Sequence, residues 1–174
     1  IDAAAHTACD EGGAIIQYGS MIWAAGGVAR RLTCSGADLV NVHTIRCRTD
    51  VDALKHQLSS ARRAVVIGGG YIGLEAAAVL TKLGKEVAVV EALPRVLARV
   101  AGEPLSRFFE RHHRDHGVDL WLESTVECIE DSDGRATGVR LSSGEVLTAD
   151  VIIVGIGIIP AVDPLLAAAA TGGN

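Results

Sequence analysis

The sequence predicts an α/β fold: a Rossmann-like parallel sheet with helices on one side and an antiparallel β-meander on the other. Three observations predict it. An apolar run, Ala64 to Ile67, passes through a cluster of glycines into a proline-free segment dense in Ala and Leu, Tyr71 to Leu83. A second apolar run within Lys85 to Glu91 closes a βαβ unit of roughly 30 residues. From Val118 onward the hydrophobic period falls to two, with turn residues at Asp131-Ser132-Asp133-Gly134 and Ser142-Ser143-Gly144, as a meander requires.

Residues 1 to 24 read as β-rich. Strands are expected over Ala3 to Cys9 and Ala14 to Tyr18, around a turn at Asp10-Glu11-Gly12-Gly13, and then over Met21 to Ala25, ending in Gly26-Gly27. Residues 28 to 48 read mainly as connection. Thr49 or Asp50 caps a helix over Val51 to Leu58, which leads into the first strand of the βαβ unit. The helix that opens at Tyr71 stops at Gly84, a C-terminal glycine cap. Ala92 to Ala101 reads as a loop with one helical turn, and Glu103 to His116 as an amphipathic helix closed by Gly117. Strands follow over Val118 to Leu122, Thr125 to Ile129, Ala136 to Leu141, Glu145 to Thr148 and Val151 to Val154. The alanines at 167 to 170 suit a short helix.

The chemistry lies in the glycines. Gly68, Gly70 and Gly73 have the spacing G-x-G-x-x-G between a buried strand and a helix, the pattern of a dinucleotide pyrophosphate site. Gly68 permits the tight turn, Gly70 lets backbone approach the phosphates, and Gly73 lets the helix pack on the strand. Unpaired N–H groups and the positive end of the helix dipole then face the phosphates, with no basic side chain needed. Glu91 lies 18 residues beyond Gly73, at the end of the second strand. An acidic group there accepts hydrogen bonds from both adenosine ribose hydroxyls and repels a 2′-phosphate, which favours NAD(H) over NADP(H).

Composition excludes other classes. Apolar residues make up 49% and aromatics 3%, so the core must be built from Ala, Val, Leu and Ile, as in layered α/β proteins. A net charge of −5 and a pI near 5.6 speak against a nucleic-acid or anionic-membrane surface, and the longest apolar stretch, Val151 to Ile159, is too short to span a bilayer. Cys9, Cys34, Cys47 and Cys128 show neither C-x-x-C nor zinc spacing and read as reduced structural thiols, consistent with a cytoplasmic protein. His112, His113 and His116 invite a metal reading because His112 and His116 share a helix face, but among Arg111, Arg114 and Asp115 they read as solvated. The ends, Ile1 and Gly172-Gly173-Asn174, suggest part of a longer polypeptide.

Six segments in order resemble the FAD-dependent, NADH-dependent ferredoxin reductases of putidaredoxin-reductase type. They are Ile22-Trp23-Ala24-Ala25-Gly26-Gly27, His43-Thr44-Ile45-Arg46, Val66 to Glu75, Glu91 to Leu97, His116-Gly117-Val118-Asp119 and Val154-Gly155-Ile156-Gly157-Ile158-Ile159-Pro160. The resemblance implies an FAD-domain fragment over residues 1–48, an NAD-binding domain over 49–158 and the start of a return to the FAD domain over 159–174. The parallel sheet would thus be flanked by short pieces of an FAD domain. It further implies hydride transfer from NADH to FAD, then single-electron delivery to an iron–sulfur protein of ferredoxin or rubredoxin type. This chain alone would be inactive, with FAD bound mostly by residues outside it.

By the same resemblance, Gly68, Gly70, Tyr71, Ile72 and Gly73 line the pyrophosphate and nicotinamide path, and Glu91 holds the ribose. Arg95 or Arg99 contacts the adenosine or phosphate end. Gly155, Ile156 and Gly157 pass under the nicotinamide, and Arg46 contacts FAD. Glu75 would be the catalytic residue, orienting the nicotinamide carboxamide near the flavin. Two positions depart from the family pattern, Ala25 and Cys47, each where a Thr is usual. Other enzyme readings are an NADH oxidase, a coenzyme A disulfide reductase or a nitrite reductase flavoprotein. A stand-alone NADH-sensing module is the reading from another class.

Overall fold

The structure, a computed structural model, describes residues 1–169. In chain order the first elements are β1 (Thr7–Cys9), β2 (Ile15–Gln17), β3 (Gly27–Ala29), β4 (Val42–Thr44), α1 (Arg48–Leu58), β5 (Arg63–Ile67), α2 (Tyr71–Lys82) and β6 (Glu86–Val90). They are followed by α3 (Glu103–Asp115), β7 (Val118–Trp121), β8 (Val126–Ser132), β9 (Arg135–Leu141), β10 (Val146–Thr148), β11 (Val151–Val154), β12 (Ile158–Pro160) and α4 (Asp163–Ala167). The chain divides into two compact units, residues 1–28 with the segment from Ile158 onward, and Ala29–Gly157.

In the larger unit, β4, β11, β5, β6 and β7 form a parallel sheet in that order. Its two faces are separated by strand alternation. On β5, Ala64 and Val66 face a cluster that includes Leu54 of α1 and Ala77 and Leu80 of α2, whereas Val65 and Ile67 face Val139 and Leu141 of the meander. Helices therefore cover one face and the antiparallel sheet β10-β9-β8 the other, as expected. Each fully buried Val, Leu or Ile contributes roughly 1.5–3 kcal/mol, so a core built from small aliphatics suffices. The turn between β8 and β9 narrows to Asp133-Gly134, both at positive φ (54° and 76°), as a two-residue hairpin turn demands.

The smaller unit holds an antiparallel hairpin, β1 with β2, and a two-stranded pairing of β3 with β12. The strand expected over Met21 to Ala25 does not form. The Trp23 indole instead donates to the Ala161 carbonyl (2.6 Å), and pairing starts later because Gly27 lets its backbone lie against Ile159, where a Cβ would strike the carbonyl oxygen. Of the alanine run at 167–170, Ala167 ends α4, and residue 170 lies outside the described residues.

Two further local expectations change. Residues 28–48 are not only connection, since β4 adds the edge strand of the parallel sheet. It is fixed by Asn41, 1% exposed, whose amide nitrogen donates to the carbonyls of Ala136 and Asp150 (both 2.8 Å) and whose oxygen accepts from Ala136 N–H (2.7 Å). Helix α1 begins at Arg48 after Cys47, and Asp50 caps it from within by accepting from the N–H groups of Cys47 (2.9 Å) and Arg46 (2.8 Å). Those same bonds hold the Asp50 carboxyl below its ordinary range.

Replacing Asn41 with Leu leaves two buried backbone groups of Ala136 and the part-buried Asp150 carbonyl without their partner. We expect a loss of roughly 3 kcal/mol, read from the urea midpoint. Asp150 gives a pH signature. Partial burial by itself would raise its carboxyl, but the N–H groups of Arg63 (2.8 Å) and Arg62 (2.9 Å), together with the Arg63 guanidinium, hold it below the usual value. A carboxyl held low in the folded chain adds stability above its unfolded value of about 4 and loses it as pH falls through the lower folded value. Asp150→Asn should thus lower stability at neutral pH and flatten the acid decline below about pH 4, measured as thermal midpoint against pH.

Candidate functional site

All five strands of the parallel sheet run the same way, so the residues that follow them share one edge. The last paired row is Thr44, Val154, Ile67, Val90 and Trp121. One position further on stand Gly155 after β11, Gly68 after β5 and Glu91 after β6, with Arg46 just beyond β4. The crossovers through α2 and α3 carry the chain from β5 to β6 and then β7, while β11 and β4 lie on the other side of β5. The gap between β5 and β11 is the point where such sheets take ligands at their carboxyl ends.

The three fingerprint glycines have different surroundings. Gly68 has φ +109°, and a Cβ there would lie 2.5 Å from the Gly155 carbonyl oxygen. A Cβ on Gly73 would run into the Gly68 carbonyl oxygen. Around Gly70 nothing lies within 4 Å of where a Cβ would stand. Two glycines are thus required by the protein's own packing, and the third borders open space. Gly70 is also the N-cap of α2 and offers no side-chain cap; the first helical bond runs from Leu74 N–H back to the Gly70 carbonyl (3.0 Å). The N–H groups of the first turn lack intrahelical acceptors, so a pyrophosphate fits this cradle electrostatically and sterically. Tyr71 and Ile72, 56% and 44% exposed, flank it.

Glu91 is half-buried, with one carboxylate oxygen accepting from Gly69 N–H (2.7 Å) and the other from Leu93 N–H (2.8 Å). A carboxylate has about four acceptor positions, so each oxygen retains capacity for a ribose hydroxyl. Gly155 N–H bonds the Ile67 carbonyl (2.7 Å), Ile156 packs beside the meander-side core, and Gly157 has φ +104° with open space at its Cβ position. Arg46 is exposed at the sheet edge, and Glu75 is exposed on α2, one turn beyond Tyr71. Arg99 is exposed and makes no hydrogen bond or ion pair among the described residues.

Arg95 does not serve as expected. Its guanidinium donates to the Ala101 carbonyl (2.7 Å), Ser106 Oγ (2.7 Å) and the Ala98 carbonyl (3.1 Å), so it braces its own loop. The histidines of α3 are not uniformly solvated either, because His113 is buried with its ring nitrogens at the carbonyls of Phe109 (2.9 Å) and Leu74 (3.2 Å). No group of three or more His, Cys, Asp or Glu side chains that could hold a metal occurs among the described residues. The four cysteines are free thiols, and burial pushes Cys34 up, away from reactive thiolate. Sequence reasoning missed Gly69. It falls outside the fingerprint spacing, and its only signal is that it makes a third consecutive glycine.

The description "pyridine nucleotide-disulphide oxidoreductase" matches residues 1–172. The chain belongs to this family. It is 56% identical over its whole length to the 5,5'-dehydrodivanillate O-demethylase ferredoxin reductase subunit of Sphingobium sp. (strain NBRC 103272 / SYK-6), covering 42% of that protein. Its fold is similar to the crystal structure of the ferredoxin reductase for the CYP199A2 system from Rhodopseudomonas palustris, with TM-score 0.89 and 35% identity over 99% of this chain and 43% of that one. It is also similar to a chain in the crystal structure of the covalent putidaredoxin reductase–putidaredoxin complex, with TM-score 0.87 and 34% identity over 99% of this chain and 43% of that one. The family member described here thus spans less than half the length of these relatives.

The glycine environments separate folding from binding. Gly73→Ala should destabilise the family fold by about 1–3 kcal/mol, because the helix must move off the strand. Gly70→Ala should change stability by less than about 1 kcal/mol while weakening dinucleotide binding. Urea unfolding and calorimetric titration with NADH, run on both variants, check the contrast.

Proposed function

We propose that this chain is the NADH-binding part of an FAD-dependent oxidoreductase that passes electrons from NADH through FAD to an iron–sulfur protein of ferredoxin or rubredoxin type. The observation that carries the reading is the open, uncapped turn at Gly70 between Gly155 and Glu91. The names of the similar reductases agree with it.

In this reading residues 49–158 are the NAD-binding domain, and 1–48 and 159–174 belong to an FAD-binding domain completed elsewhere in the polypeptide. The N–H groups at the start of α2 bind the pyrophosphate, with Gly68 and Gly73 holding helix and strand together beneath it. Glu91 accepts from the adenosine ribose hydroxyls and disfavours a 2′-phosphate. Gly155, Ile156 and Gly157 leave room for the nicotinamide ring, and Tyr71 and Ile72 border its path. Glu75 orients the carboxamide, Arg46 meets FAD, and Arg99 lies toward the adenosine end. When bound, NADH supplies a hydride and FAD divides the electron pair; the chain's residues bind, orient and exclude. No helix among the described residues is long and apolar enough to cross a membrane. A cytoplasmic setting, with no nucleic-acid partner, is part of the proposal.

The test is calorimetric titration of the full polypeptide with NADH and NADPH, repeated on Glu91→Ala, alongside anaerobic reduction of a ferredoxin. NADH should bind in preference to NADPH, and the substitution should weaken NADH by about 1.5–3 kcal/mol. Failure of the wild-type polypeptide to bind either nucleotide would overturn the reading. Binding of NADH with no reduction of the ferredoxin, and NADH consumed only once dioxygen is admitted, would replace the reductase by an oxidase.

A further inference from the structure

Helix α3 turns a polar stripe inward beside Phe109, which packs with Leu74, Val96 and Leu97. Its buried residues are Ser106, Glu110 and His113, at 0%, 3% and 5% exposure, whereas Leu105 and Phe108 stand 47% and 52% exposed. The buried three follow the i, i+4, i+7 spacing of one helix face. Burying a carboxylate brings no stability that a well-packed apolar side chain would not match, so its placement calls for another reason.

That reason lies in what Glu110 holds. One of its oxygens accepts from Val96 N–H (3.2 Å), and Arg107 donates to both oxygens (3.2 and 2.9 Å). Val96 begins the short path back to the glycine turn. The next residue, Leu97, donates its N–H to the Gly69 carbonyl (2.9 Å), and the Gly69 N–H is taken by Glu91 (2.7 Å). The Gly69 peptide units are thus gripped from both sides by the segment that follows β6. Leu97 is buried and held at φ +55°, a left-handed conformation that a leucine adopts only when its surroundings impose it. Val96 closes the wedge, since a Cβ on Gly69 would lie 3.1 Å from Val96 Cγ1 and 3.1 Å from Glu91 Oε2. Arg95 anchors the same loop to Ser106, the next buried polar residue on α3.

We propose that Glu110 is a positioning residue for the dinucleotide: from the inner face of α3 it fixes Val96 and Leu97, and through them the Gly69 peptide beside the phosphate-facing turn. This inference rests on the reading of that turn as the NADH site. A directional hydrogen bond sets the height of Val96 to within a fraction of an ångström, which apolar contact alone does not do. The orientation of the Gly69 peptide in turn aims the backbone of Gly70.

The test compares the full polypeptide with Glu110→Gln and Glu110→Leu. Gln keeps an acceptor for Val96 N–H, whereas Leu fills the space without one. For Glu110→Leu we expect the KM and Kd for NADH to rise roughly 10- to 100-fold, with kcat at saturating NADH unchanged and faster hydrogen exchange at Gly69 and Leu97 in the nucleotide-free protein. Glu110→Gln should restore most of the affinity. Should Glu110→Leu not accumulate as folded protein, Glu110→Met, a flexible apolar side chain of similar length with no acceptor for Val96 N–H, carries the same expectation. If wild type binds NADH and the variant without the acceptor binds it within twofold of wild type, the inference fails and the NADH reading stands. It also fails if Glu110→Gln is as impaired as Glu110→Leu. If wild type does not bind NADH, the reading fails and takes the inference with it.

Discussion

The contact between Gly73 and the Gly68 carbonyl governs the arrangement of this molecule. No side-chain carbon fits between them, so α2 lies directly on the end of β5 and its first turn is carried to the carboxyl edge of the sheet. Gly68 in turn sits against Gly155, which brings the ends of β5 and β11 together. A bulkier residue at either point would lift the helix, and its unpaired N–H groups would no longer converge above the sheet. On the proposed reading, packing and binding therefore impose the same requirement on Gly68 and Gly73. Only at Gly70, where the protein leaves open space, do the two requirements separate.

The segment after β6 shows how a single carboxylate serves two ends. Glu91 satisfies the N–H groups of Gly69 and Leu93, which would otherwise be partly buried without acceptors. On the proposed reading its remaining acceptor positions meet the ribose. Removing it would then loosen the glycine turn as well as delete ribose contacts, so a selectivity change made at Glu91 alone disturbs the phosphate end too.

Much of this was legible in the sequence because the signals are local and periodic. The runs at 64–67, 87–90 and 151–154 are buried strands, the glycine caps at Gly84 and Gly117 close their helices at φ +74° and +85°, and the turn at Asp133-Gly134 reverses the chain. Where the sequence misled, a distant partner decided the outcome. Three-residue β4 shows no period of its own and is held by Asn41, whose bonds reach Ala136 and Asp150 across about 100 residues of chain. Met21 to Ala25 has the apolar run of a strand but forms none, and the Trp23 indole is bonded to the Ala161 carbonyl. Arg95 carries the charge expected of a phosphate ligand, yet three acceptors within its own loop and α3 take it first.

Helix α3 marks the limit of reading by hydrophobic pattern. Its sequence is amphipathic, and the usual inference turns Leu105 and Phe108 inward. That inference assumes that the neighbouring surface is apolar and complete. Here part of the neighbouring surface is the loop after β6, whose Val96 N–H is met by Glu110 and whose Ala98 and Ala101 carbonyls are met by Arg95, beside the apolar contact of Phe109 with Leu74, Val96 and Leu97. Leaving such groups buried without partners costs about 1–3 kcal/mol each, comparable to the gain from burying one Leu or Phe. Glu110 meets the Val96 N–H, Ser106 accepts from Arg95, and His113 reaches the Leu74 carbonyl, so the polar stripe faces inward. Helix α3 is therefore oriented jointly by the polar groups of that loop and by the packing of Phe109 on Leu74, Val96 and Leu97.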